Sequence, residues 1–132
     1  MKMKNIIIVL SIFALLALNF IVTPYLRLRD AQSVVETVLT HWKNNNLTLA
    51  MPFWEKEIDS PPVYDLMAYE IGNGTINKVD GAYTADFTAT LDFPQGNLFP
   101  SGKQWIFKLK KSRYGWKVTD FLYAEGEMPQ QP

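Results

Sequence analysis

The side chains best suited to proton chemistry are few and scattered: one histidine, His41; one carboxylate, Asp120, in a segment otherwise rich in aromatics; and two tyrosines, Tyr69 and Tyr83, inside apolar alternations. His41 lies one helical step from Val38 and Trp42, at the edge of an apolar stripe. An imidazole there could act as a general base at the mouth of a pocket, or simply stand at the solvent edge. Asp120 shares strand parity with Trp116 and Val118, which turns its carboxylate inward, whereas Phe121 and Tyr123 occupy the other parity. A bulge near Thr119 reconciles the two aromatic sets and ejects Asp120. The two phenols could donate to a ligand carbonyl, or pack their rings and send their hydroxyls to local partners. With Trp105, these four residues are the candidates to line a pocket for a small apolar ligand. No Ser-His-Asp set, glycine-rich phosphate loop or metal-spaced cluster of histidines and carboxylates stands in the chain, and with one histidine and no cysteine neither a metal ion nor any other cofactor is expected. The expectation is a chain that is not an enzyme.

Formal net charge is zero, from 13 basic and 13 acidic side chains, so there is no broad positive field of the kind that attracts nucleic acid. Lys108, Lys110, Lys111 and Arg113 cluster, but they fit a solvated strand face running into a turn. Two glycosylation-type triplets, Asn46-Leu47-Thr48 and Asn73-Gly74-Thr75, are read as chance matches.

These side chains follow an apolar run, Ile6 to Val22, interrupted only by Ser11 and Asn19 and flanked by Lys2 and Lys4 on one side and Arg27 and Arg29 on the other. Extended through Leu26 it makes a helix of roughly 30 Å, the thickness of a bilayer's hydrocarbon core. The run is longer than a secretory apolar region and holds no good Ala-x-Ala cleavage pair, which favours an uncleaved anchor over residues 1–26. The short basic tail at Lys2 and Lys4 stays readily in the cytoplasm while the rest translocates, which places the following domain in the periplasm or outside the cell, although Arg27 and Arg29 after the span weigh against this orientation. Within the span, Ser11, Ala14 and Ala17 make a small-residue line, and Asn19 puts an amide in lipid; both features suit contact with a partner helix.

Beyond the anchor, residues 27–125 make one domain and 126–132 a tail. Ala31, Val34, Val35, Val38, Leu39 and Trp42 recur at helical spacing as a wide apolar stripe. Asp30 could cap this helix, or the membrane helix could run on into it with Pro24 kinking the junction. Asn44 to Asn46 end it, a second helical piece is expected over Leu49 to Glu57, and Ser60-Pro61-Pro62 stops that piece. From Val63 the period becomes two, giving a strand from Val63 through Ile71, a turn at Asp80-Gly81, and a strand with Tyr83, Ala85, Phe87, Ala89, Leu91 and Phe93 on its dry side. A loop over Pro94 to Gly102 leads to a last hairpin, Lys103–Lys111 and Trp116–Tyr123. Leu98 and Phe99 on that loop either fold back over the sheet end or contact a partner or the membrane surface. The fold class is therefore α+β: a transmembrane helix, then an amphipathic helix and a short second helix on a curved antiparallel four-stranded sheet.

The helix text Ala31…Val35…Leu39…Trp42-Lys43-Asn44-Asn45-Asn46…Ala50…Phe53 and the closing hairpin Phe107-Lys108-Leu109-Lys110…Tyr114-Gly115-Trp116-Lys117-Val118-Thr119-Asp120-Phe121 resemble the nuclear-transport-factor-2-like family, whose cone-shaped layout cystatin-like domains share. The resemblance covers most of Ala31 to Tyr123. It implies a helix cradled in a cone of sheet. It also implies a choice among isomerases, cyclases, ligand binders and non-enzymatic scaffolds, including the similarly anchored inner-membrane subunit of type IV secretion; fold alone does not make that choice. With the anchor and the missing chemistry, the expectation is an accessory or scaffold subunit whose partners are membrane lipid and integral-membrane proteins. A tethered binder of a small apolar ligand is the alternative.

Overall fold

The structure is a computed structural model that describes residues 2–125; Met1 and the tail, residues 126–132, lie outside the described residues. One helix, α1 (Met3–Lys43), runs unbroken through 41 residues, about 62 Å at the α-helical rise. The membrane helix and the amphipathic helix are thus one element, and Asp30 caps nothing. The junction sequence is helix-compatible, and Pro24, which removes one N–H from the ladder at the Phe20 carbonyl, weakens the helix without ending it. The part of α1 before Arg27 is exposed throughout, and the helix is long and apolar enough there to cross a membrane. The C-terminal part buries Ala31, Val35, Val38, Leu39 and Trp42 against the sheet.

Three asparagines close α1. Asn45 adopts φ 61°, its N–H reaches the Trp42 carbonyl at 3.2 Å, and the Asn46 N–H reaches the His41 carbonyl at 2.8 Å. This is the left-handed C-terminal closure in which asparagine stands in for glycine. The second helical piece is shorter than its sequence suggests. α2 (Leu47–Ala50) passes into a 3₁₀ turn over Met51–Phe53, and Trp54 is already extended, bridging in parallel to Val118 while the Glu55 N–H reaches the Val118 carbonyl at 2.9 Å. Pro52 is why: it has no N–H with which to continue the ladder.

The sheet comprises β1 (Ala68–Val79), β2 (Ala82–Asp92), β3 (Lys103–Ser112) and β4 (Gly115–Tyr123), antiparallel and in chain order, so it remains open. β1 starts five residues later than its apolar text suggests. Asp65 at φ 59° breaks the alternation after Pro61-Pro62, so Val63 and Leu66 are both buried despite opposite parity and Met67 is exposed. Between Ile71 and Gly74 the register slips, and at Gly74 the Phe87 ring occupies the space a Cβ would need. β2 buries Ala85, Phe87, Ala89 and Leu91 and continues the same side at Phe93, as its alternation requires. A second bulge falls between Lys108 and Leu109, leaving Thr119 as the extra residue, with its hydroxyl donating to the Lys108 carbonyl at 3.1 Å. Trp116 and Val118 then face the helix, Phe121 and Tyr123 pack on the same core, and Asp120 is exposed.

Candidate functional site

The space between α1 and the sheet is occupied by aromatic rings. Trp42 lies 5.8 Å from Phe107, 5.8 Å from Trp54 and 5.2 Å from Phe121, centroid to centroid, and Trp105 stacks on Phe121 at 4.8 Å with planes 2° apart. Such separations are those of close aromatic packing.

The five pocket candidates do not converge. His41 is half-buried at the distal end of α1, 6.4 Å from Phe53. Tyr69 shares a hydrogen bond of 3.0 Å with the Thr40 hydroxyl, tying β1 to the helix. Tyr83 lies at the other end, with the Arg27 guanidinium 3.8 Å above its ring and the Lys78 ammonium 5.2 Å from it. The 14 residues from Arg27 to His41 span about 21 Å of helix, so Tyr83 and His41 cannot line one pocket. Trp105 is a core residue, and Asp120 points to solvent.

The partner-contact candidates are also redistributed. Phe99 is buried, packed on Phe93 at 5.2 Å, Tyr64 at 5.1 Å and Trp105 at 6.3 Å, and leaves only Leu98 partly exposed. Polar staples force this: Asn97 Oδ1 accepts the Phe99 N–H at 2.9 Å, and Ser101 Oγ accepts the Phe93 N–H at 3.0 Å. Loop Pro94 to Gly102 is therefore a lid on the distal end of the core. In the span, Ser11 donates to the Ile7 carbonyl at 2.8 Å, and Asn19 Oδ1 accepts from the Thr23 hydroxyl at 2.8 Å. The Asn19 amide N–H groups have no partner among the described residues. At about 100° per residue Asn19 projects roughly 160° away from Ala17, so the amide and the whole small-residue line do not share a face.

What the sequence left unassigned is the base of the domain, where it meets the span. Both hairpin turns, Asp80-Gly81 and Arg113-Tyr114, lie at this end, because an antiparallel meander returns every second turn to the same edge. A groove of about 220 Å³ there is lined by Thr23, Leu26, Arg27 and Asp30 from α1 and by Lys111 and Trp116 from the β3–β4 hairpin. The signal was present as a basic residue beside each turn, but which end of the sheet faced the membrane depended on the direction of α1 across it. At the opposite end, Tyr123 donates to Glu125 at 3.3 Å, and Glu125 pairs with Lys103 at 3.6 Å. Desolvation, then the Glu125 charge and that hydrogen bond, push the Tyr123 phenol above its ordinary 10.0, with Lys103 opposing. Among the described residues no group of three histidines, aspartates or glutamates is placed to hold a metal ion. No protein-family model matches the chain, and no curated protein matches it.

Proposed function

We propose that this chain is a non-enzymatic accessory or scaffold subunit of a membrane protein complex, held by α1, with a nuclear-transport-factor-2-like domain outside the cytoplasm. The observation that carries the reading is the filled interior. The rings of Trp42, Trp105, Phe107 and Phe121 occupy the space in which an enzyme or ligand binder of this shape would keep its reacting groups, so the domain meets other molecules through its surfaces. Separation of His41 from Tyr83 weighs in the same direction. Asn19 adds a contact inside the lipid, since amide N–H groups without an acceptor in hydrocarbon favour a partner helix that supplies one.

Gentle detergent extraction of the full chain from its native membrane, followed by native mass measurement, tests this function. A complex with integral-membrane partners is expected, and Asn19→Leu is expected to lower their recovery. A monodisperse lone monomer overturns the reading. For orientation, the short Lys2 and Lys4 tail supports a cytoplasmic N-terminus. Since the chain has no cysteine, a single cysteine at Leu98 should react with a membrane-impermeant maleimide added to the outside of intact cells or spheroplasts. Protection until the membrane is opened reverses the orientation.

A further inference from the structure

The base of the domain carries a second, independent surface. Arg27 on α1, Lys78 at the end of β1, Lys111 at the end of β3 and Arg113 in the following turn gather there with the carboxylates of Asp30 and Asp80, while Arg29 stands at the same height on another side of α1, beside Gln32 and Glu36. Among the described residues the one ion pair within 4 Å is Lys103–Glu125, at the opposite end, so none of these five cations is held in a direct ion pair of that length. Aromatic rings lie beside four of them: Tyr83 under Arg27 and Lys78, Trp116 beside Lys111 at 5.9 Å, and Tyr114 beside Arg113 at 5.9 Å.

Their height relative to the lipid follows from α1. Phe107 packs against Trp42, whereas Lys111, four residues on, packs beside Thr23 to Asp30, so β3 descends toward the span. Thr23 directly follows Val22, the last residue of the apolar run. Arg113 and Tyr114 lie beyond Lys111 in the same direction, by about 6 Å at the strand rise. Both tips also expose an apolar group, Tyr114 at 84% and Val79 at 54%.

We propose that this base docks on the anionic phospholipid surface of the leaflet through which α1 leaves the membrane, with Lys78, Lys111 and Arg113 engaging headgroup phosphates and the Tyr114 ring lying in the interface. A basic side chain this close to an anionic surface favours the docked state roughly fivefold. Tyrosine prefers the same depth, with its ring among the upper acyl groups and its hydroxyl wet. Lys108 and Lys110, grouped with these cations by sequence, lie further from the turn and take no part.

The full chain in nanodiscs tests this, because its lack of cysteine allows one nitroxide to be placed at Val79→Cys on a hairpin tip or Leu98→Cys at the far end. Collision of the label with an aqueous nickel chelate reads its depth. In discs of phosphatidylcholine with phosphatidylglycerol, the label at 79 is expected to be severalfold less accessible than at 98, and this protection is expected to weaken in phosphatidylcholine alone. Adding Lys111→Glu and Arg113→Glu should expose position 79, and Tyr114→Ser should do so in part. Equal accessibility at the two positions overturns the proposal. So does protection indifferent to both lipid charge and charge reversal, which would be mere proximity to α1. Should the reversed variant fail to fold, the lipid comparison on the otherwise unchanged chain still decides. A lone monomer in detergent would defeat the subunit reading and leave this result untouched.

Discussion

Trp42, Trp105 and Trp116 each bury an indole N–H without an acceptor, a cost of about 1–3 kcal/mol apiece that the burial and stacking of such large rings offset. The core is thus built on shape and volume, and alternation shows its β2 and β3 members, though not Val63, Leu66 or Phe99. Gly74 was not legible in that way, because its constraint is the Phe87 ring from the next strand. Gly74→Ala forces a buried ring aside and is expected to cost about 1–3 kcal/mol, seen as a lower midpoint in thermal unfolding followed by near-ultraviolet circular dichroism. A neighbouring Gly81→Ala is the control for space, since a Cβ there meets nothing within 4 Å and only its φ of 81° resists. Tyr123 gives a pH-dependent readout. Its raised phenol favours the neutral form in the fold, so that contribution is fully present below the unfolded-state value near 10.0 and lost as pH climbs through the higher folded-state value. Glu125→Gln removes the nearby charge and should bring the Tyr123 titration down, as followed by its ring carbon resonance; an unchanged or higher titration would contradict this assignment.

At the level of elements, the closure of α1 depends on Asn45 holding a positive φ. Asn45→Ala should destabilise by roughly 1 kcal/mol while Asn45→Gly should be neutral or better, a contrast that denaturant midpoints can measure. The period-two text of β2 and β3 and the bulge at Thr119 were readable because each rests on side-chain alternation within a strand and its partner. Two features escaped the sequence, and a third was left between two alternatives, for physical reasons. β1 begins at Ala68 because Asp65 turns the chain left-handed inside an apolar stretch. α2 stops early because Pro52 cannot extend it. Phe99 is covered because Asn97 and Ser101 staple its loop, and such polar geometry has no hydropathic signature. The suggested pocket is not assembled, because Tyr83 packs on Arg27, about 21 Å of helix away from His41, and that separation was a matter of packing direction.

For the whole molecule, full burial on α1 begins at Ala31, with Leu28 packed partly buried beside the core, and the exposed span before Arg27 contributes nothing to it. A chain starting at Leu26 should fold alone and unfold cooperatively, whereas one starting at Val38 loses Ala31 and Val35 and should be destabilised by about 3 kcal/mol or more, with a broadened melt by tryptophan fluorescence. Cooperative folding of the shorter chain would show that the sheet does not need that stretch of helix. In the membrane-spanning reading proposed above, the same continuity joins domain and bilayer without a hinge loop and makes α1 a lever pivoting at mid-membrane. Bilayers of different thickness change the inclination of a spanning helix. From that pivot Trp42 lies about 40 Å along the rod, and 10° of added inclination carries it sideways by about 7 Å. Leaning presses one hairpin toward the headgroups and lifts the other, so the domain would register membrane thickness as a change in its own posture, with Pro24 as the turn where the rod bends first.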